Sequence, residues 1–366
     1  MKILLIGDAS NFHWTLAQGL RLMGHEVTVV SNGSRWMNNN RDVDISRKGY
    51  GAVDSMIYLS KILAHLPSWR GYDVVQVASP VFFTLRPEKN LYIFRQLKRQ
   101  NAKVFLQALS TDHYYVKACF DGHTFRYSDF FVGDKPLQRP GYNRERDAYL
   151  NGPNKEPNIA MAQECDGIAA CLYEYYVSYH GDYASKLEYI PIPINLDESP
   201  MRQLPERVDA LRFFIGIQRD RTELKGTDLL YEVLQEVKRN YKHECEVTAV
   251  ESVPYKEYNR MMYESDVLID QLYSYTPATN ALLAMAKGLV AVSGAEPEFY
   301  DFIGDDDLRP VVNVLPDRDA IYRVLEGLVL HRAELPEMAR KSRAFVERYH
   351  DYKRVAAQYI DFWNRH

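Results

Sequence analysis

The sequence has no apolar run approaching the roughly 18 to 20 residues of a membrane-spanning helix. Its opening apolar stretch, Ile3-Leu4-Leu5-Ile6, stops at Gly7-Asp8, short of the about 7 to 15 apolar residues of a signal-peptide core. A cytoplasmic chain is therefore expected. Peripheral attachment to the inner face of a membrane stays open, because 27 tyrosines could serve interfaces as well as pockets. Cysteine is scarce: the 4 residues, at 119, 165, 171 and 245, have neither C-x-x-C spacing nor the density of a disulfide framework. They read as reduced thiols, and a zinc site is not expected. Neither sign of charge is in excess, with a formal net charge of -4, so nothing in the electrostatics calls for a nucleic-acid partner. The G-x-S-x-G elbow, the H-E-x-x-H pair and the Walker loop are all missing, which removes hydrolase, zinc-protease and P-loop readings. The first loop also lacks G-x-G-x-x-G, which disfavours an NAD-dependent enzyme.

What is present is an alternation. Residues 2–6 are a strand, 7–12 a loop and 15–23 an apolar-periodic helix; Gly24-His25 closes the helix before a strand at 27–30. Further β-rich runs stand at 74–77, 104–106, 168–170 and 189–194, with a helix at 91–98 among them. The pattern breaks between 121 and 157 into a polar, aromatic, Pro- and Gly-containing excursion, far longer than a usual connection. It reads either as a lid or as an insertion without fixed structure. The polar stretch 195–208, with Pro200 and Pro205, reads as a linker.

Alternation then restarts, with strands at 212–217, 247–250, 267–269 and 290–292 and helices at 228–239, 255–263 and 280–287. Two helical stretches, 333–349 and 352–363, end the chain. With 366 residues, two cores are more natural than one, because single cores stop growing near about 250 to 300 residues. The expected fold class is α/β, two doubly wound Rossmann-like domains over residues 1–195 and 209–349, with residues from about 350 packing back on the first domain. Ligands of such sheets lie beyond the carboxyl ends of the strands.

Candidate residues follow from that rule. Gly7 sits in the first strand-to-helix loop, and His13 at the helix entrance either reaches a substrate or packs locally. Ser110-Thr111-Asp112-His113 follows a strand; Asp112 and His113 either orient an acceptor and handle its proton or anchor the loop. In the second half, Gln218-Arg219-Asp220-Arg221-Thr222-Glu223-Leu224-Lys225-Gly226 lies between a strand and a helix. Arg219, Arg221 and Lys225 there could neutralise a diphosphate while helix N–H groups bind its oxygens. Glu296 and Glu298, in Gly294-Ala295-Glu296-Pro297-Glu298, either contact a ligand's hydroxyls or cap the next helix. Asp305-Asp306-Asp307 reads as a solvated turn rather than a metal site.

A strand, the basic loop, Lys225-Gly226 and an apolar helix resemble the retaining family 4 glycosyltransferases of GT-B architecture. The likeness continues through Val253-Pro254-Tyr255, Asp266-Val267-Leu268-Ile269-Asp270 and Ala284-Met285-Ala286-Lys287-Gly288, and more weakly over the whole chain. It implies two domains facing each other across a sugar-nucleotide cleft. It also implies transfer of a hexosyl unit from a nucleoside diphosphate sugar to a glycan or lipid-linked acceptor, as in polysaccharide biosynthesis, with no metal or other cofactor. Lys225, Gly226 and one of Arg219 or Arg221 would hold the diphosphate, with Val253, Pro254 and Tyr255 near the base. The family carries a pair of Glu residues, one near the transferred sugar and one, directly before Ala-Met-Ala, on the ribose. Here Tyr275 and Leu283 stand in those places; neither accepts as a carboxylate does, and Thr276 and Asn280 are the polar neighbours that could substitute. Two other readings share the fold: a nucleotide-sugar epimerase, and a non-catalytic partner that binds glycans or another transferase.

Overall fold

The computed structural model describes residues 1–33, 37–203 and 207–366, so Pro205 of the expected linker lies outside the described residues. The strands, in chain order, are β1 (Lys2–Ile6), β2 (Glu26–Ser31), β3 (Val43–Asp44), β4 (Val74–Val77), β5 (Lys103–Ala108), β6 (Phe131–Val132), β7 (Lys135–Pro136), β8 (Gly167–Ala170), β9 (Leu187–Tyr189), β10 (Leu211–Ile217), β11 (Cys245–Glu251), β12 (Val267–Ile269), β13 (Val290–Ser293) and β14 (Val312–Asn313). They belong to two compact units, one formed by Met1–Asp121, Asn143–Pro193 and Tyr352–His366, the other by Gly122–Tyr142 and Ile194–Asp351.

The first unit is built on a parallel sheet in the order β3-β2-β1-β4-β5-β8-β9. Its central strands read as continuous apolar runs because helices cover both faces: Leu4, Ile6, Val75, Val77, Val104, Leu106 and Ile168 are all buried. The expected strand at 189–194 ends at Tyr189. Pro191 and Pro193 have no N–H to give a ladder, so the chain leaves the sheet there. The helix Tyr352–Arg365 returns to this unit; at Gly19 an added β-carbon would lie 2.6 Å from the Tyr352 carbonyl oxygen, so the two helices touch backbone to backbone.

The second unit carries a parallel sheet in the order β11-β10-β12-β13-β14. The helix Thr227–Asn240 buries Leu230, Val233, Leu234 and Val237, the i, i+3, i+4, i+7 spacing that lays one stripe on the sheet. The excursion expected as a lid divides: Gly122–Tyr142, with the antiparallel hairpin β6–β7, packs in the second unit although it interrupts the sequence of the first. Residues 142–150 and 155–164 are helices.

Candidate functional site

In the second sheet the strand order reverses between β10 and β12, the kind of switch point where open α/β sheets leave a crevice for ligands. Each of those strands delivers one charged residue to it. After β10 the short helix Thr222–Lys225 ends at Gly226, whose φ of 67° and whose approach to Leu272 (2.7 Å from an added β-carbon to the Leu272 β-carbon) both demand glycine. The Leu272 N–H donates to the Lys225 carbonyl at 2.8 Å, which pins the two loops together. The Lys225 Nζ then stands 3.6 Å from Oδ1 of Asp270, the residue that directly follows β12. Asn280 donates its Nδ2 to the same Oδ1 at 3.0 Å and accepts at Oδ1 from the Tyr258 hydroxyl at 3.0 Å. Asp270 is 3% exposed, and its Oδ2 is buried with no hydrogen-bond partner. A buried acceptor left unpaired costs about 1 to 3 kcal/mol, a cost that an entering hydroxyl removes.

Arg219 and Arg221 are exposed, Arg219 pairing with Glu251. Val253 packs with the Phe214, Val250 and Tyr258 cluster at the end of β11, and Pro254 and Tyr255 open the helix Tyr255–Tyr263. Ser252, just before them, has φ 53°. Leu283 is half-buried on the helix Thr279–Ala286, one turn beyond Asn280, and Thr276 is buried.

Glu296 and Glu298 have acquired partners from the Gly122–Tyr142 excursion. Arg126 donates from Nη2 to Glu296 Oε2 at 2.5 Å and from Nη1 to Glu298. The Tyr127 hydroxyl donates to Glu296 Oε1 at 2.6 Å, and Asn313 Nδ2 adds a bond at 2.8 Å. Tyr275, at the place where the resemblance puts a sugar-side Glu, is buried beneath this segment. Its hydroxyl accepts from the Arg126 N–H at 2.7 Å, and its ring lies 5.1 Å from Tyr127 and 5.4 Å from Phe125. Gly294 is obligatory beside it, since a β-carbon would fall 1.7 Å from the Ser274 carbonyl oxygen.

Of the two alternatives left open for His13, Asp112 and His113, the structure shows the local one. His13 is not at an open mouth; it is fully buried, with Nδ1 2.6 Å from the Gly7 carbonyl and Nε2 3.2 Å from Gln76 Nε2. A carbonyl can only accept, so Nδ1 carries the proton and Nε2 receives one from Gln76. Burial pushes the imidazole down to about 4, which leaves it neutral. Gln76 in turn donates to Gln107 and accepts from Trp363, and Gln107 accepts from Tyr359, so His13 belongs to a buried polar chain.

Asp112 is likewise a local anchor. It caps the helix His113–Cys119 through the Tyr115 N–H at 2.9 Å and accepts from the Tyr179 hydroxyl at 2.6 Å; burial raises its carboxyl to about 6. The His113 N–H donates to Asn158, and its Nδ1 lies 2.8 Å from the Tyr149 carbonyl. Gly7, with φ 79°, lets the first loop turn against Ala78 and Phe82. Asp8 receives the His13 N–H at 3.0 Å, and desolvation lifts it to about 7.

Asp305 departs from the solvated turn expected of it. It is 4% exposed, taking bonds from Arg348 at 2.9 Å and Tyr349 at 2.7 Å, while Asp306 pairs with Arg309. Among the described residues no three His, Cys, Asp or Glu side chains come together as a metal site, and no helix is long and apolar enough to cross a membrane.

Asp270, Tyr258, Arg126 and Tyr127 were not singled out by sequence. For Asp270 a signal existed, an acid directly ending an apolar strand in Asp-Val-Leu-Ile-Asp. For Arg126 none did, since its carboxylate partners lie 170 and 172 positions away.

No protein-family model matches the chain, and no curated protein matches it in sequence. Solved structures do. Sucrose-phosphate synthase from Thermosynechococcus elongatus superposes with a TM-score of 0.66 at 13% identity, over 100% of this chain and 99% of that one. HepE from Anabaena, solved with UDP and glucose, gives 0.60 at 11% identity over 100% of both chains. WaaG, a glycosyltransferase involved in lipopolysaccharide biosynthesis, gives 0.58 at 12% identity over 99% of each. The fold is therefore α/β with two parallel-sheet domains, as in the GT-B glycosyltransferase structures.

Proposed function

We propose that the chain is a glycosyltransferase that moves a hexosyl unit from a nucleoside diphosphate sugar to a hydroxyl of a glycan or lipid-linked acceptor, with retention at the anomeric carbon. The observation that carries this reading is the meeting of Lys225 and Asp270 at the switch point of the second sheet. Lys225 supplies positive charge to a leaving diphosphate, where stabilisation of developing charge contributes most. The helix Thr227–Asn240 offers its N-terminal N–H groups to the same oxygens. Arg219, paired with Glu251, and Arg221, both exposed on the same turn, add positive charge. In this reading these groups neutralise the diphosphate and no metal is called for.

Asp270 takes the part that Leu283 cannot. Its unpartnered Oδ2 accepts a ribose or sugar hydroxyl, while Asn280 and Lys225 hold the carboxylate in place. Glu296, fixed by Arg126, Tyr127 and Asn313, acts on the sugar side only through the orientation those three bonds impose.

Titration calorimetry of the purified chain with UDP, GDP and their sugars, repeated on Lys225→Ala, tests the proposal. UDP and UDP-glucose come first, since UDP sits in the HepE structure. One nucleotide class should bind, and the variant should bind it about ten- to a hundredfold more weakly, the worth of one charge-assisted hydrogen bond. Absence of binding to every nucleotide would overturn the reading. A second reading is favoured by Tyr275, which puts a ring where the resemblance puts a carboxylate: binding of a nucleotide without transfer to any acceptor would make the chain a non-catalytic partner.

A further inference from the structure

The helix Ala52–His65 is inverted relative to a surface helix. Its inward side is anchored by Tyr58 and Ile62 alone. Its outward side carries Val53 at 69%, Met56 at 69%, Ile57 at 61% and Leu63 at 42% exposure, with only Ala52, Ser60 and Ala64 between them. No charged residue falls on that arc. Tyr50, 68% exposed just before the helix, continues it, with the Arg47 guanidinium 4.7 Å from its ring.

The charge around the helix runs against the rest of the molecule. Between 45 and 72 the ionised residues are Arg47, Lys48, Lys61 and Arg70 against Asp54 alone, a local excess of 4 − 1 = +3 in a chain of net charge -4. Lys48 and Arg70 are exposed at the two ends of the apolar strip. A second copy of this chain is a poor occupant. A helix of 14 residues presents on the order of 200 Å² (about 20 Å by about 10 Å), far below the roughly 800 Å² per partner of a stable interface. An apolar stripe with basic residues at its margins and a tyrosine at its edge instead fits the boundary between acyl chains and anionic headgroups.

We propose that the Ala52–His65 helix is a docking surface for an anionic lipid membrane, lying in the plane of the interface with Val53, Met56, Ile57 and Leu63 toward the acyl chains and Lys48, Lys61 and Arg70 on the headgroups. This goes beyond the transfer reaction and does not depend on it.

The experiment is co-sedimentation of the full chain with vesicles of phosphatidylcholine alone and of an equal mixture with phosphatidylglycerol, at low and high salt. Two variants are run beside it: Met56→Glu/Ile57→Glu, and Lys48→Glu/Lys61→Glu. All these side chains are at least partly exposed, and thermal melting checks that both variants fold. The wild-type chain should partition onto the mixed vesicles, less so at high salt, and each double variant should partition at least about tenfold less. Failure to bind the mixed vesicles, equal binding to both vesicle types, or binding unchanged in Met56→Glu/Ile57→Glu overturns the proposal. So does a wild-type dimer that this variant converts to monomer without any vesicle binding.

Discussion

Asp112 is ionised only at a cost, because burial holds its carboxyl at about 6 against an ordinary 3.8. A group whose proton is held more tightly in the folded chain stabilises it fully below its unfolded pKa and loses that contribution as pH rises through the folded one. Asp8, at about 7, has the same sign; His13, at about 4, has the opposite one, its contribution being full above about 6.5 and lost as pH falls toward 4. Asp112→Asn isolates the first of these. The amide can still accept the Tyr115 N–H and meet the Tyr179 hydroxyl, but it does not titrate. Urea unfolding should show the variant gaining on the wild type by about 1.5 kcal/mol between about pH 5 and about pH 7.5. A pH-independent difference would show that Asp112 is not the titrating group. These three residues also mark where the sequence could be read and where it could not. That Asp112 and His13 follow strands was legible; that both are interior was not, since their partners Tyr179 and Gln76 lie 67 and 63 positions away. Lys225-Gly226 was legible because a turn and a charge are local facts. Asp270 carried a local signal too, an acid after an apolar strand, but its pairing with Lys225 did not.

At the scale of elements, periodic segments stood out best. The helix Tyr255–Tyr263 and the strands Lys2–Ile6, Val74–Val77 and Val267–Ile269 match their expected bounds. The helix Ala52–His65 was missed because apolar residues on both its faces erase the periodicity. The Gly122–Tyr142 excursion had no periodicity to read; what orders it is Arg126, whose guanidinium joins Glu296 and Glu298, with Tyr127 beside it. Glu296 is 3% exposed, so Arg126→Ala leaves a buried carboxylate without its cation. The guanidinium is itself half exposed, which limits the loss to about 1 to 2 kcal/mol. Its local consequence is larger: chymotrypsin should cut after Phe130 or Phe131 several-fold faster in Arg126→Ala, read by mass spectrometry of the fragments. Unchanged cleavage would show that the aromatic contacts of Phe125 and Tyr127 with Tyr275 hold the segment without the ion pairs.

At the scale of the whole molecule, each unit has its own buried core, one running through Leu4, Val75, Leu106 and Ile168, the other through Phe213, Val233, Ile269 and Val292. The first unit is not complete until the chain returns at Tyr352, since Phe362 and Trp363 are buried against Phe105, and Tyr359 against Phe12, on the sheet face opposite that core. Trp363 also donates from Nε1 to Gln76 at 3.2 Å, so Trp363→Ala removes a large side chain and frees the acceptor of the amide that holds His13. Losses of this kind run to about 3 to 5 kcal/mol. Two cores of this size are expected to melt as two cooperative units. Scanning calorimetry of Trp363→Ala should move one transition down by several degrees and leave the other in place, while Arg126→Ala should move the one that Trp363→Ala leaves. A single transition that falls in both variants would mean that the two cores unfold together, and that the returning helix stabilises the second unit as much as the first.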